Sequence, residues 1–165
     1  MFRAVKVAGY IRAMEQRGIS TQQLLAGTHI NPKLVHSTDY TISFEQYRTV
    51  VNNMMKLTKN PGIAFSLGDI ARAKSLGIFG YAMISSRSLR HALDIWRKYA
   101  GSLRGTQMSA EELHDMSSGY IVIFPSQPEL GDLYRFEIEE TILQGARLVR
   151  DLTGITPVFG KASFT

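Results

Sequence analysis

Ser75-Leu76-Gly77-Ile78-Phe79-Gly80-Tyr81-Ala82-Met83-Ile84-Ser85-Ser86-Arg87-Ser88-Leu89-Arg90-His91-Ala92-Leu93-Asp94-Ile95-Trp96-Arg97-Lys98-Tyr99 is the densest apolar block in the chain. Its first half places Leu76, Phe79, Gly80, Met83 and Ile84 at helical spacing; Ser85 and Ser86 then interrupt the pattern, and Ser88 stands where it can cap a second helix. That second helix carries Ala92, Leu93, Trp96, Tyr99, Ala100 and Leu103 on one face. Arg90, Asp94 and Lys98 fall four residues apart on the other, a ladder of alternating charge suited to solvent. Two helices and a tight corner are predicted, with the rest of the chain packed around them.

Upstream of the block the apolar residues keep helical periods. Ala4, Val7, Ala8, Ile11 and Met14 share a face of a first helix that ends near Gly18. Ser20 with Gln23, and Ser43 with Gln46, read as capping boxes opening a short helix that buries Leu24 and Leu25 and a longer one with the stripe Phe44, Tyr47, Val50, Val51, Met54 and Leu57. Asn31-Pro32 and Asn60-Pro61 each read as an N-cap followed by proline at the first helical position. Five helical pieces are thus expected before the block.

Downstream of Gly105 the pattern changes. Gln107 to His114 and Tyr120 to Phe124 read as strands joined by a polar turn, and a long helix follows from about Asp132 to Leu152. Phe136, Leu143 and Ala146 mark one stripe of that helix and Ile138, Ile142 and Val149 another, while Glu137, Glu139 and Glu140 read as a charged outer face, with Arg135 four residues before Glu139. Gly154 ends the helix, and Pro157-Val158-Phe159 with Phe164 reads as a strand. An N-terminal multi-helix cluster followed by strand, strand, helix, strand is an α+β arrangement. Residues 1–165 show no repeat and no linker and are read as a single domain.

Composition narrows the function classes. With 44% hydrophobic residues in 165, the chain can bury a full core without staples. There is no cysteine, which removes disulfides, thiolate metal sites and cysteine nucleophiles and fits a reducing, cytoplasmic setting. The first residues do not read as a secretory signal, and no apolar run approaches a membrane span, so no membrane partner is expected. Net charge is +5, but residues 1–105 hold fifteen Lys and Arg against five Asp and Glu, and 106–165 hold four against nine. The basic residues are scattered singly, so a solvated surface is preferred over a nucleic-acid face.

The pattern Leu76-Gly77-x-x-Gly80-Tyr81-Ala82-x-x-Ser85-Ser86-x-x-Leu89-x-x-Ala92-Leu93, ending at Tyr99 and preceded by Leu67-Gly68, resembles the N-terminal effector domain of AraC-type transcription regulators, the arabinose-binding-like branch. The resemblance runs from the Gly18-Ile19 turn to Asp151-Leu152-Thr153-Gly154. It implies a regulatory domain that binds a small effector and controls an attached DNA-binding unit. Regulators of this type continue into helix-turn-helix units, and none is legible here. The sequence is therefore expected to be a fragment of such a regulator, with DNA contacted only through the missing C-terminal domain.

The residues themselves supply little chemistry. His29, His36, His91 and His114 are dispersed without metal-ligand spacing, and no nucleophile elbow or phosphate-binding glycine loop is present. No enzyme activity, cofactor or metal is expected. Gly77 and Gly80, three apart, read as a place where another element approaches closely. Tyr81, Arg87, His91, Trp96 and Tyr99 are the candidate ligand-binding residues, because the central block gathers aromatic and donor-bearing side chains. Trp96 and Tyr99, on the apolar stripe, read first as core residues, and Arg87 as a donor to carbonyls at the preceding helix end. A mild preference for an apolar or amphipathic effector follows from the want of a planar polar cluster beside an aromatic. The alternative is an association module, a homodimer formed through an exposed apolar helix face with no ligand.

Overall fold

The structure is a computed structural model and describes residues 2–37, 39–68, 77–104, 112–116, 119–123 and 128–157. The N-terminal part is a cluster of four helices, α1 (Val5–Glu15), α2 (Thr21–Leu24), α3 (Phe44–Thr58) and α4 (Ile63–Gly68). Both capping boxes form. Ser20 Oγ accepts the Gln23 amide at 3.2 Å and Ser43 Oγ the Gln46 amide at 3.1 Å, and each glutamine Oε1 accepts the serine amide in return at 2.9 Å. The piece after Asn31-Pro32 is a turn and not a fifth helix: Asn31 Oδ1 accepts the Lys33 amide at 3.0 Å, and the Leu34 amide reaches the Asn31 carbonyl at 3.1 Å. Two strands of two residues, β1 (Phe2–Arg3) and β2 (Thr41–Ile42), pair antiparallel with Phe2 opposite Ile42, which ties the chain's start to the entry of α3. They are too short to leave an alternating pattern in the sequence.

The predicted corner is present as α5 (Gly77–Ile84) and α6 (Leu89–Arg104). Ser85 and Ser86 close α5 by donating their hydroxyls to the carbonyls of Tyr81 and Ala82 at 2.8 and 3.0 Å, and Ser88 Oγ accepts the His91 amide at 3.2 Å to open α6. Then β3 (Glu112–Met116) and β4 (Gly119–Ile123) form an antiparallel pair with Leu113 opposite Val122 and Met116 opposite Gly119. The first strand runs two residues further toward the turn than the expected 107–114, and positions 107–111 lie outside the described residues. A 3₁₀ segment, Pro128–Leu133, kinked at Gly131, leads into the long helix α7 (Tyr134–Thr153). Gly154 caps it at φ 73°, its amide donating to the Arg150 carbonyl at 2.9 Å. Ile155 to Pro157 form no strand, and the rest of the strand expected there lies outside the described residues. The fold is α+β, mostly helical, with two small antiparallel pairs among the described residues.

The expectation that everything packs around the α5–α6 block is corrected. The largest core lies among α1 to α4, with Val7, Met14, Leu24, Tyr47, Val50 and Met54 buried together and Leu133 and Phe136 added from the end of the chain. The hairpin has a smaller core of its own, Phe79, Met83, Ala92 and Leu148, flanked by Ile95, Trp96 and Leu152. The reason lies in α5, which is apolar on all sides but buries only the face of Phe79, Gly80 and Met83 among its described side chains. Helix α7 is the element common to both cores. It crosses α4 so closely at Gly68 that a Cβ built there would stand 2.3 Å from Leu143 Cβ and 2.9 Å from the Glu140 carbonyl oxygen. The sequence pattern points to Gly77 and Gly80 for a close approach, and Gly80 is indeed buried. A close approach is present at Gly68 of α4.

Candidate functional site

The five residues selected from sequence do not form one constellation. Tyr81, two positions from Phe79 and so about 200° around the helix, lies on the outer face of α5 and is 62% exposed. Arg87 in the corner and His91 in the first turn of α6 are exposed. Trp96 and Tyr99 do come together, around Phe79: the Trp96 ring centroid is 6.1 Å from that of Phe79, and Tyr99 meets the same ring edge-on at 6.5 Å. Tyr99 is still 45% exposed, with Lys98 Nζ 5.2 Å from its ring centroid. The carbonyl-capping role considered for Arg87 is performed by Ser85 and Ser86.

Among the described residues the densest assembly of polar groups is elsewhere, at the junction of α1, α3 and α7. Lys6 and Tyr10, one turn apart on α1, face Tyr47 of α3 and the pair Glu137 and Glu140, one turn apart on α7. Lys6 Nζ stands 2.9 Å from both carboxylate oxygens of Glu137 and 2.9 Å from Glu140 Oε2. Tyr10 donates its hydroxyl to Glu140 at 2.9–3.0 Å, Tyr47 donates to Glu137, and the two phenol oxygens are 3.0 Å apart. Each phenol therefore has one proton and one carboxylate to give it to. The ammonium also lies 4.9 Å from the Tyr47 ring centroid, and Phe2 stacks on that ring with centroids 4.5 Å apart. Glu137 and Glu140 are 0% and 2% exposed, and Lys6 keeps 14% of its side chain at the rim.

This overturns the reading of Glu137, Glu139 and Glu140 as a charged outer face. Arg135 does pair with Glu139, at 2.7 Å, but all three carboxylate side chains are buried. On a helix Glu137, Thr141 and Leu148 fall on one line, a stripe written mostly in polar letters. A periodicity search for apolar residues passes over such a stripe. Its burial depends on a lysine 131 positions away, so no local signal announces it.

Burial pushes both phenols well above the ordinary tyrosine value, with the charges of Glu140 on Tyr10 and of Glu137 on Tyr47 as the next cause. The folded chain then keeps two protons that the unfolded chain releases near pH 10. Stability from this source is fully present below about pH 10 and is lost as pH rises toward the folded values. Each phenol contributes a slope of about 1.4 kcal/mol per pH unit. Denaturant midpoints of the wild type and Tyr10→Phe, followed through the alkaline range, check this: the variant should show a shallower fall by one such increment. Equal slopes would contradict the buried placement of Tyr10.

Other surfaces offer less. A depression between α1 and α2, lined by Glu15, Ile19, Ser20 and Thr21, is open to solvent and encloses nothing. Among the described residues no group of three His, Asp or Glu is arranged to hold a metal ion, and no helix is long and apolar enough to cross a membrane.

Comparison with known proteins gives this arrangement a family. The family described as the arabinose-binding domain of AraC transcription regulators, N-terminal, matches residues 18–165, and the chain belongs to it. The chain is similar to the ornithine utilization regulator of Pseudomonas aeruginosa, 28% identical over 82 residues, covering 50% of this chain and 24% of that protein. It is also similar to an uncharacterized HTH-type transcriptional regulator of Mycobacterium tuberculosis and one of Mycobacterium bovis, each 31% identical over 85 residues, 51% of this chain and 25% of the relative. The matched segment thus spans about a quarter of the length of these curated relatives. The family is one of transcription-regulator domains and not a class of enzymes.

Proposed function

We propose that residues 1–165 form one sensing domain of an AraC-type regulator, which binds a small effector and biases an attached helix-turn-helix unit that makes the DNA contacts. The observation that carries this reading is the family match over residues 18–165. The α5–α6 hairpin is the favoured effector region. Trp96 and Tyr99 gather around Phe79 in a small separate core, and Tyr81, Arg87 and His91 carry polar groups on the surrounding surface. An effector acts here only by binding two states of the domain with different affinity. One relative is named for ornithine utilization, so basic amino acids belong beside apolar and amphipathic metabolites in any screen.

A thermal-shift screen of those compounds tests the reading. A binder at a hundred times its dissociation constant should add about 2.7 kcal/mol, and Arg87→Ala or His91→Ala should weaken it while leaving the unliganded melting temperature in place. No stabilising compound, together with full regulation by the parent protein in cells grown without any of them, would count against effector binding.

One observation favours a second reading, association without a ligand. The outer face of α5 exposes Ile78 at 90%, Tyr81 at 62% and Ile84 at 43%, on a helix with no charged residue. Sedimentation of the wild type beside Ile78→Glu decides it: a concentration-dependent dimer lost in the variant supports association through α5, and a monomer in both removes it.

A further inference from the structure

Helix α7 is held in its two cores by different means. Toward its C-terminal end the inward groups are apolar, Leu148 and Leu152 against Phe79, Met83 and Trp96. In its first half the main core receives Phe136, with Leu133 from the turn before it, and Ile138 packs beside Leu130 against Phe44. Beside these, that half meets α1 and α3 through the buried carboxylates of Glu137 and Glu140 on Lys6, Tyr10 and Tyr47.

These two kinds of contact respond differently to separation. Re-exposed apolar surface costs about 25 cal/mol per Å². A buried ion pair is near break-even, because opening returns hydration to both partners. Tyr10, Tyr47, Glu137 and Glu140 are buried, and Lys6, with 14% of its side chain exposed, is where the network meets solvent. At the Glu140 end of the network α4 crosses α7 at Gly68, against the Glu140 carbonyl and Leu143, a tight contact that fixes one point of α7 against α4.

We propose that the Lys6–Glu137–Glu140–Tyr10–Tyr47 network is a polar latch: it allows the first half of α7 to leave α1 and α3 by a local opening, while the core of α1 to α3 stays folded. The latch goes beyond the sensing role and stands or falls without any effector, since the opening belongs to the chain alone. In a regulator it would supply the second state that an effector could favour.

Hydrogen exchange on the 165-residue chain, without ligand, tests it. In the wild type, amides of residues 136–144 should exchange about tenfold or more faster than those of residues 50–54 in α3, the mark of a local opening below the global one. The same measurement on Lys6→Met/Tyr10→Phe/Glu137→Gln/Glu140→Leu reads the latch itself. This combination removes the charges, and the carboxamide oxygen introduced at position 137 can still accept the Tyr47 proton. The difference between α7 and α3 should vanish in the combined variant, and its melting temperature should be no lower than that of the wild type. A wild type in which both helices exchange at one global rate would overturn the latch. So would a combined variant that opens faster or fails to fold, because the network would then be a fixed support.

Discussion

Lys6→Met is expected to cost the domain about 3 to 5 kcal/mol, the penalty for removing one partner and leaving buried charge behind. The methionine keeps most of the stem volume, so the loss is electrostatic in origin and not a cavity effect. Two carboxylates, 0% and 2% exposed, would lose the ammonium that stands 2.9 Å from each. The matched control is Arg48→Met. Arg48 pairs with Asp132 at 3.2 Å, but both side chains are about half exposed, and a pair of that kind contributes about 1 kcal/mol or less. Denaturant midpoints of the two variants should therefore separate clearly. If Lys6→Met proved as mild as Arg48→Met, the carboxylates would be reaching water or another partner, and the buried network would lose its energetic weight.

The contrast between Lys6 and Arg48 also shows where sequence reading reaches its limit. Local devices are legible because they are written within four residues: both Ser-x-x-Gln capping boxes, the Ser85-Ser86 stop, the Ser88 cap and the Gly154 terminus all form where they are expected. Helices whose apolar stripe agrees with one buried face are legible too, α1 above all and α3 as far as Met54, after which Leu57 of the expected stripe is exposed because the helix runs out past the core. Two kinds of feature are not. The two-residue strands β1 and β2 are set by tertiary contact and have no period of their own. The junction of α1, α3 and α7 joins residues 6, 10, 47, 137 and 140, and each taken alone is an ordinary surface-type or amphipathic residue. Apolar density misleads in the opposite sense at α5. A helix apolar on every side reads as the centre of the fold, and the structure leaves Ile78, Tyr81 and Ile84 facing out. For the same reason the candidate site is only half legible: Trp96 and Tyr99 meet through Phe79, but Tyr81 joins them by proximity in sequence and not by helical face.

Gly68→Ala should be strongly destabilising, because a methyl group there has no room without displacing α7. The new Cβ would stand 2.3 Å from Leu143 Cβ, 2.9 Å from the Glu140 carbonyl oxygen and 3.1 Å from the Gln144 amide nitrogen. Backbone atoms and a Cβ cannot swing aside as a long side chain does, so α4 and α7 must move apart along their crossing. Overpacking of this kind costs about 1 to 3 kcal/mol and at times more, and here the upper end is expected even after the gain of about 1 kcal/mol in helix propensity. Gly145→Ala supplies the comparison on α7 itself. Nothing lies within 4 Å of a Cβ at Gly145, so that variant should be stabilised by up to about 1 kcal/mol. A midpoint shift of opposite sign in the two variants fixes the α4–α7 crossing at Gly68. Because Gly68 packs against the turn that carries Glu140, the Gly68→Ala shift should also be non-additive with Lys6→Met, by about 0.5 kcal/mol or more. Strict additivity would mean that the crossing and the buried network act on α7 independently.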